Sequence, residues 1–534
     1  MDLADPRSPS PPLARPMIRA AAAVLFVVVL MGLRLAIDPR DPFFLDDDAW
    51  YYHRIAVNIA RHGFSSFDGL VATNGYHPLW QIVLSGAVLV FDVGARGVVV
   101  LQLVVLAAAV WVFLACVPRL GPLHLALVSL YLPLRIQGFV GHGMEVDVLF
   151  LALATWFVAM VRHDAERDCG SVHWLAATVG LCFLARIDAI VFVAPGALLI
   201  VRSNRARLVL FAEIAAIVGL YAAINVVLFG LPLPVSGAVK SLGGLQWNHV
   251  LAAQIFFDGF RPSTILTAPY LGPQLSLFGL SAALFLGFAR RERLLVALHA
   301  SVALGLAIYW TKLFLFSSWQ IWPWYNFPVV VLVLVLVVTI DRIAGRLRTT
   351  PGRTARFVGL AEIAIAAGLA GNVGAAALLV RWAPAPHHDV DFQRMNAFVA
   401  AEVARRLGPV PIAMGDRAGS FAALHRGPVV QLEGLVSDAT HLALLRSGGS
   451  IEARLCGLGV RHVLSYQRDL GDYDELDIPV IRPALAGRPS PTYHVRRVDE
   501  IFALRRPDLF DNSGTTDEDD TVRLWKIDCD RAAR

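Results

Sequence analysis

The stretch Pro78-Leu79-Trp80-Gln81-Ile82-Val83-Leu84-Ser85-Gly86-Ala87-Val88-Leu89-Val90-Phe91-Asp92 decides how this 534-residue chain is threaded. It is apolar but short, since a helix needs about 20 residues to span a bilayer. Its path sets the side on which every later loop falls. If it crosses, the turns holding Arg162, His163 and Arg167, and then Arg202, Arg205 and Arg207, lie outside. That runs against the Lys/Arg excess of cytoplasmic loops. If it does not cross, the alternation holds throughout, with arginine-bearing turns at Arg119, Arg290, Arg291, Arg293 and Arg342 also inside. We therefore read 78–92 as re-entrant.

Crossings then run at about 17–37, 97–117, 122–140, 145–161, 172–188, 189–201, 207–229, 264–288, 293–311, 323–340 and 357–380. The expected architecture is an α-helical polytopic membrane protein of about eleven crossings, amino terminus inside and carboxyl terminus outside. Composition agrees: 56% of residues are hydrophobic and 17% charged, with a mean hydropathy of +0.59. Soluble proteins carry about 25% charged residues. The net charge of +5 resides largely in the short turns, so it is a topology signal and not a nucleic-acid footprint.

Residues 1–16 are rich in Pro, Ser and Arg and read as a disordered cytosolic tail. Residues 17–383 form the membrane domain, with a long outer loop at 38–77. Residues 384–534 change character: charges rise, apolar runs shorten, and helical and alternating segments interleave. They read as an extracytoplasmic α/β domain with strands near 410–414, 429–432, 460–464 and 522–527 and helices near 391–407, 438–447 and 450–457. Asp517 to Asp520 reads as a solvated loop. Five cysteines show no metal-ligand spacing; Cys456 and Cys529 share the tail domain, where a disulfide is open to them.

The chemistry-bearing residues gather on the outer side. The loop before 78–92 contains Asp46, Asp47 and Asp48, then His53, Tyr76 and His77. Its helix, Asp48 to His62, carries Trp50, Ile55 and Ile59 near one face and is expected to lie along the membrane surface. Glu145 and Asp147 open a helix from outside, and Arg186 and Asp188 lie at the outer end of another. Lys240 follows an outward crossing, and Trp319, Trp322, Trp324, Tyr325 and Asn326 surround the outer mouth of a late helix. Each has a bland reading, as a helix cap, an internal ion pair or an aromatic belt. Together they suit glycosyl transfer from a polyprenyl-phosphate sugar. A carboxylate takes the acceptor's proton, cations hold the phosphate leaving group, and aromatics stack on the sugar.

The runs Asp47-Asp48-Ala49-Trp50-Tyr51-Tyr52, His62-Gly63-Phe64, Phe67-Asp68-Gly69 and Thr73-Asn74-Gly75-Tyr76-His77-Pro78-Leu79-Trp80 resemble the first outer loop of bacterial GT-C membrane glycosyltransferases. That group includes protein O-mannosyltransferases and the lipid A aminoarabinose transferase. Gly143-Met144-Glu145, Leu184-Ala185-Arg186-Ile187-Asp188-Ala189, Pro234-Val235-Ser236-Gly237-Ala238-Val239-Lys240, Trp324-Tyr325 and Leu432-Glu433-Gly434-Leu435 extend the resemblance.

The resemblance implies a GT-C-like fold in the bacterial inner membrane, with the active site on the extracytoplasmic face. It implies inverting transfer from a polyprenyl-phosphate sugar to a lipid, glycan or protein. It marks Asp47 as the catalytic base with Asp48 in support, although the extra Asp46 leaves a one-residue shift open. Glu145, Arg186, Asp188, Lys240, His77, Tyr76, Trp324 and Tyr325 become candidate substrate-binding residues. No cofactor is required and no metal ligands are assigned, with a divalent cation left open. Position 50 is Trp where the family more often has Tyr, and Val146-Asp147 replaces the usual small polar pair. A non-enzymatic flippase or export component for lipid-linked sugars is the alternative.

Overall fold

The computed structural model describes residues 14–37, 43–166, 169–255, 271–348, 353–382, 388–466, 474–481, 490–510 and 520–532. Of the expected disordered tail, residues 1–13 lie outside the described residues, and 14–16 are instead the start of the first helix, Ala14–Ile37.

Seven helices among the described residues are long and apolar enough to cross a membrane: Arg15–Ala36, Ala95–Cys116, Val146–Ala165, Asn204–Phe229, Leu271–Phe288, Arg293–Phe316 and Pro323–Leu347. The chain is thus a polytopic α-helical membrane protein. Further apolar helices are shorter: Pro78–Phe91, Pro122–Ile136, Gly170–Ala185, Ile187–Ile200 and Gly359–Asn372. Residues 264–270 of one expected crossing lie outside the described residues. The deciding stretch 78–92 forms a helix of 14 residues, Pro78–Phe91. At 1.5 Å per residue it is about 21 Å long, against a hydrocarbon core of about 30 Å. It packs on the outer-loop helix Asp47–His62, where Gln81 Nε2 donates to the Tyr52 carbonyl at 3.1 Å.

The tail folds as an α/β domain around a five-stranded sheet of order β2-β1-β3-β7-β6. The strands are β1 (Ile412–Met414), β2 (Val429–Gln431), β3 (His462–Tyr466), β6 (Glu500–Arg505) and β7 (Thr521–Lys526). β1 runs parallel to β2 and β3, while β7 is antiparallel to both β3 and β6. Helices Ala418–Leu424, Ala439–Ser447 and Ile451–Gly457 make the connections that parallel pairing demands. β4 (Glu475–Pro479) and β5 (Thr492–Arg496) form a separate ribbon, which the sequence reading missed together with β6 and helix Ala418–Leu424. Cys456 and Cys529 are joined in a disulfide. Asp520 is buried and accepts from Arg505 Nε at 3.0 Å, so this end of the acidic run is not a solvated loop; Asp517 to Asp519 lie outside the described residues.

The outer-loop helix corrects a second expectation. It is not laid on a lipid surface but clasped between two protein layers. Ala49, Tyr52 and Ala56 pack into the membrane-domain core, while Tyr51 and Ile55 pack with Phe392, Met395 and Phe421 of the tail. Aromatic and β-branched residues on both sides of a helix suit burial from two directions better than one-sided amphipathicity.

Candidate active site

Three consecutive carboxylates open the outer-loop helix, and the structure sends them in three directions. Successive helical residues are turned about 100° from one another, so neighbouring acids cannot share a target. Asp46, the residue before the helix, turns to the loop at Gly141 and His142. Its N–H donates to the His142 carbonyl at 2.9 Å, and its carboxylate lies 3.2 Å from His142 Nδ1. Arg34 donates to the carbonyls of Gly141 and, at 3.0 Å, Phe44, locking the same junction. Gly143 has φ +94°, and a Cβ there would come within 2.4 Å of the Ala49 Cβ; only glycine lets this loop close on the helix.

Asp47 points to the tail domain. Its carboxylate accepts the backbone N–H groups of Gly419 and Ser420, each at 2.9 Å, and the Ser420 hydroxyl at 2.8 Å. A carboxylate on the free N–H groups of a helix start is favourable for both hydrogen bonding and the helix dipole.

Asp48 faces inward. It lines a cavity of about 520 Å³ that also contains Glu145, Arg186, Asp188, Lys240, His77, Tyr76, Trp324 and Tyr325. Of the sequence-predicted site residues, Asp47 is the one outside this cavity. The distribution follows from topology. The first loop, the start of Val146–Glu166, the junction before Ile187–Ile200, the helix Val235–Lys240 and the end of Arg293–Phe316 all meet at one end of the bundle.

Within the cavity the charged groups are sorted. Arg186 is held by Glu145 and by Asp188, whose Oδ1 accepts from its Nε at 2.9 Å. Its guanidinium lies over the rings of Phe327 at 4.8 Å and Tyr325 at 5.3 Å. Glu145 is buried and also accepts from the Tyr52 hydroxyl at 3.1 Å, with His77 Nε2 at 3.7 Å. Its contacts make it an anchor for the arginine more than a free acceptor.

Lys240 Nζ donates to the Tyr325 hydroxyl at 2.9 Å and lies 5.4 Å from that ring's centre. Asn74 sets its position by accepting from Val235 N at 3.0 Å and donating to the Asn225 side chain at 2.9 Å. Trp324 stacks on Trp322 at 5.8 Å. Tyr76 shares a hydrogen bond of 2.9 Å with Ser65. Leu435 and Val436, from the Leu432-Glu433-Gly434-Leu435 turn, complete the wall from the tail side.

The sequence reading missed Lys312, which also lines the cavity. A lone lysine in the run Tyr309-Trp310-Thr311-Lys312-Leu313-Phe314 carried the signal, because an ionisable group in a membrane segment is costly unless it has a task. It also missed Ser420 and the helix that captures Asp47.

The electrostatics separate the acids further. Burial pushes Asp48 up to about 7, with Lys240 pulling the other way and Asp47 adding to the rise. Asp47 is pushed up to about 6 by burial, moderated by its bonds from Ser420 and Gly419. Asp46 is raised to about 7 by burial, against the opposing charge of Arg34. Burial lowers His77 from its ordinary value despite Glu145 beside it. The site thus combines a carboxylate titrating near neutrality with three cations, Arg186, Lys240 and Lys312, in one partly apolar cavity. Among the described residues, no group of three or more His, Cys, Asp or Glu side chains is arranged to hold a metal ion.

No protein-family profile and no curated protein matches the chain. Among solved structures it is similar to ArnT from Cupriavidus metallidurans bound to undecaprenyl phosphate, with a TM-score of 0.49 and 12% identity over 86% of this chain and 96% of that one.

Proposed function

We propose that this protein is a membrane glycosyltransferase that moves a sugar from a polyprenyl-phosphate donor to an extracytoplasmic acceptor. The observation that carries the reading is the cavity itself, whose lining Asp48 shares with Lys240, Arg186 and Lys312. Acyl-chain-like substrate and anionic phosphate both find their chemistry there: apolar walls at Ile187, Ile190, Val191 and Leu313, and cations at the polar end.

In the proposed step the acceptor hydroxyl is bound at Asp48. The carboxylate takes its proton as the oxygen forms a bond to the anomeric carbon. The bond from that carbon to the phosphate oxygen breaks, and the electron pair leaves with the polyprenyl phosphate. The phosphate gains one negative charge, which Lys240 and Arg186 offset. Attack opposite the leaving group inverts the anomeric centre. Arg186 needs its two acidic partners to stay in place, and Glu145 and Asp188 serve that purpose. Tyr325 orients Lys240, and Trp324 and Tyr76 offer faces for the sugar. A carboxylate titrating near 7 suits a general base working at neutral pH.

The base is therefore read as Asp48, with Asp47 binding the tail domain against the site. The Cys456–Cys529 disulfide supports an extracytoplasmic tail, because such bonds persist in oxidising compartments. The test is transfer of a labelled sugar from a synthetic polyprenyl-phosphate donor in proteoliposomes. Wild type should yield a glycosidic product that Asp48→Asn does not. Lipid movement across the bilayer without any product in both proteins would point to a flippase instead.

A further inference from the structure

A second cavity, of about 580 Å³, lies at the opposite end of the bundle. Helix Val146–Glu166 starts beside Glu145 and ends at this cavity, and helix Arg293–Phe316 starts here and ends beside the first. With 21 and 24 residues these helices are about 30–36 Å long at 1.5 Å per residue, so the two cavities are about one bilayer core apart.

Its chemistry divides into two halves. Arg202, Arg205 and Arg293 bring positive charge, and Val172, Ile200 and Val209 supply an apolar wall. Arg293 is committed: it donates to the carbonyls of Leu199, Ile200 and Val201 and so caps the end of the Ile190–Ile200 helix. The nearby acids are also committed, Asp164 facing Arg342 at 4.0 Å and Glu213 facing His173 at 2.5 Å. The side chains of Arg202 and Arg205 have no ion pair or hydrogen bond among the described residues, yet both line the cavity. On the helices that contribute His173 and Val209 to its lining, Trp174, Leu208 and Phe211 are exposed apolar side chains.

We infer that this cavity is a binding site for the headgroup of an anionic phospholipid, distinct from the donor cavity. Arg202 and Arg205 hold the phosphate, and the acyl chains run along the apolar wall to the lipid-facing surface. A soluble anion would use the arginines but gain nothing from Val172, Ile200 and Val209. A zwitterionic lipid would use the wall but bring a cation against a site that already carries excess positive charge.

The test uses the full-length protein in detergent, followed by native mass spectrometry after titration with phosphatidylglycerol, phosphatidylcholine or inorganic phosphate. Wild type should retain phosphatidylglycerol in preference to phosphatidylcholine. The pair Arg202→Ala and Arg205→Ala should weaken that retention about twenty- to thirty-fold, since each arginine near an anionic lipid surface contributes roughly a factor of five. Arg202→Lys with Arg205→Lys should keep most of it. Equal retention of the two lipids, an alanine pair that binds as wild type does, or displacement by millimolar inorganic phosphate would each overturn the inference. If the alanine pair does not fold, Arg202→Gln with Arg205→Gln is read by the same criteria.

Discussion

Asp47 and Ser420, 373 residues apart in sequence, are joined by two hydrogen bonds: the Ser420 N–H and its hydroxyl both donate to Asp47 Oδ1, at 2.9 and 2.8 Å. The acid that the motif marks as the base is thereby occupied, and its neighbour Asp48 is left to face the cavity. Asp47→Ala should therefore loosen the tail domain more than it impairs chemistry. Loss of a capping acceptor costs about 0.5–2 kcal/mol, seen as a lower melting temperature and faster proteolysis within the tail. Asp47→Asn should retain measurable transfer wherever the domain stays docked. Complete loss of transfer by a stably docked Asp47→Asn protein would return the base assignment to Asp47.

Asp48→Asn should behave in the opposite way. The amide cannot accept the proton, and general-base catalysis is worth about 10²–10⁴-fold. Turnover should fall by that order with melting temperature at or above wild type. Donor binding, followed by quenching of the cavity's tryptophan fluorescence, should persist.

The pH dependences of activity and stability should run against one another. With Asp48 pushed up to about 7, transfer should decline as pH falls below 7 and the base becomes protonated. Stability has the reverse sign. Asp46, Asp47 and Asp48 stand at about 7, 6 and 7 in the fold, above their ordinary 3.8. Their contribution is full below about pH 4 and is lost as pH rises through 6–7. Melting curves at pH 5.5 and 8 should show this slope, and Asp48→Asn should reduce it.

Gly75 should tolerate no side chain. A Cβ at this position would come within 2.1 Å of the Leu435 carbonyl oxygen, a backbone atom of the tail that cannot swing aside. Gly75→Ala is expected to push the Leu435–Val436 wall from the cavity and raise the donor KM, measured in the same transfer assay, with the membrane domain still folded.

Reduction of the Cys456–Cys529 bond, which closes a separation of 73 residues, should weaken the tail specifically. Chain entropy alone predicts about 4 kcal/mol for a loop of that size. Cys456→Ser with Cys529→Ser should lower the tail's unfolding temperature, followed by hydrogen exchange, and leave exchange in the membrane helices unchanged.

Much of this protein is written in local sequence. Apolar runs, their lengths and the arginines between them determine a helical membrane domain, because an apolar run of about 20 residues satisfies its own backbone in hydrocarbon only as a helix. The rise in charge after residue 384 and the alternating strand at Val522 to Ile527 mark a separate α/β tail. The membership of the cavity was also legible, since Asp48, Glu145, Arg186, Asp188 and Lys240 are charges placed next to apolar runs, where they are too costly to be incidental.

What sequence could not determine was direction. Asp46, Asp47 and Asp48 are alike as letters, and their separation into a loop clamp, a domain latch and a cavity acid depends on which element stands opposite each. Those elements, the loop at His142, the helix at Ser420 and the helix ending at Lys240, are brought together by tertiary packing across roughly a hundred to several hundred residues. A helix turns about 100° at each step, so only the surrounding fold decides which carboxylate faces the cavity.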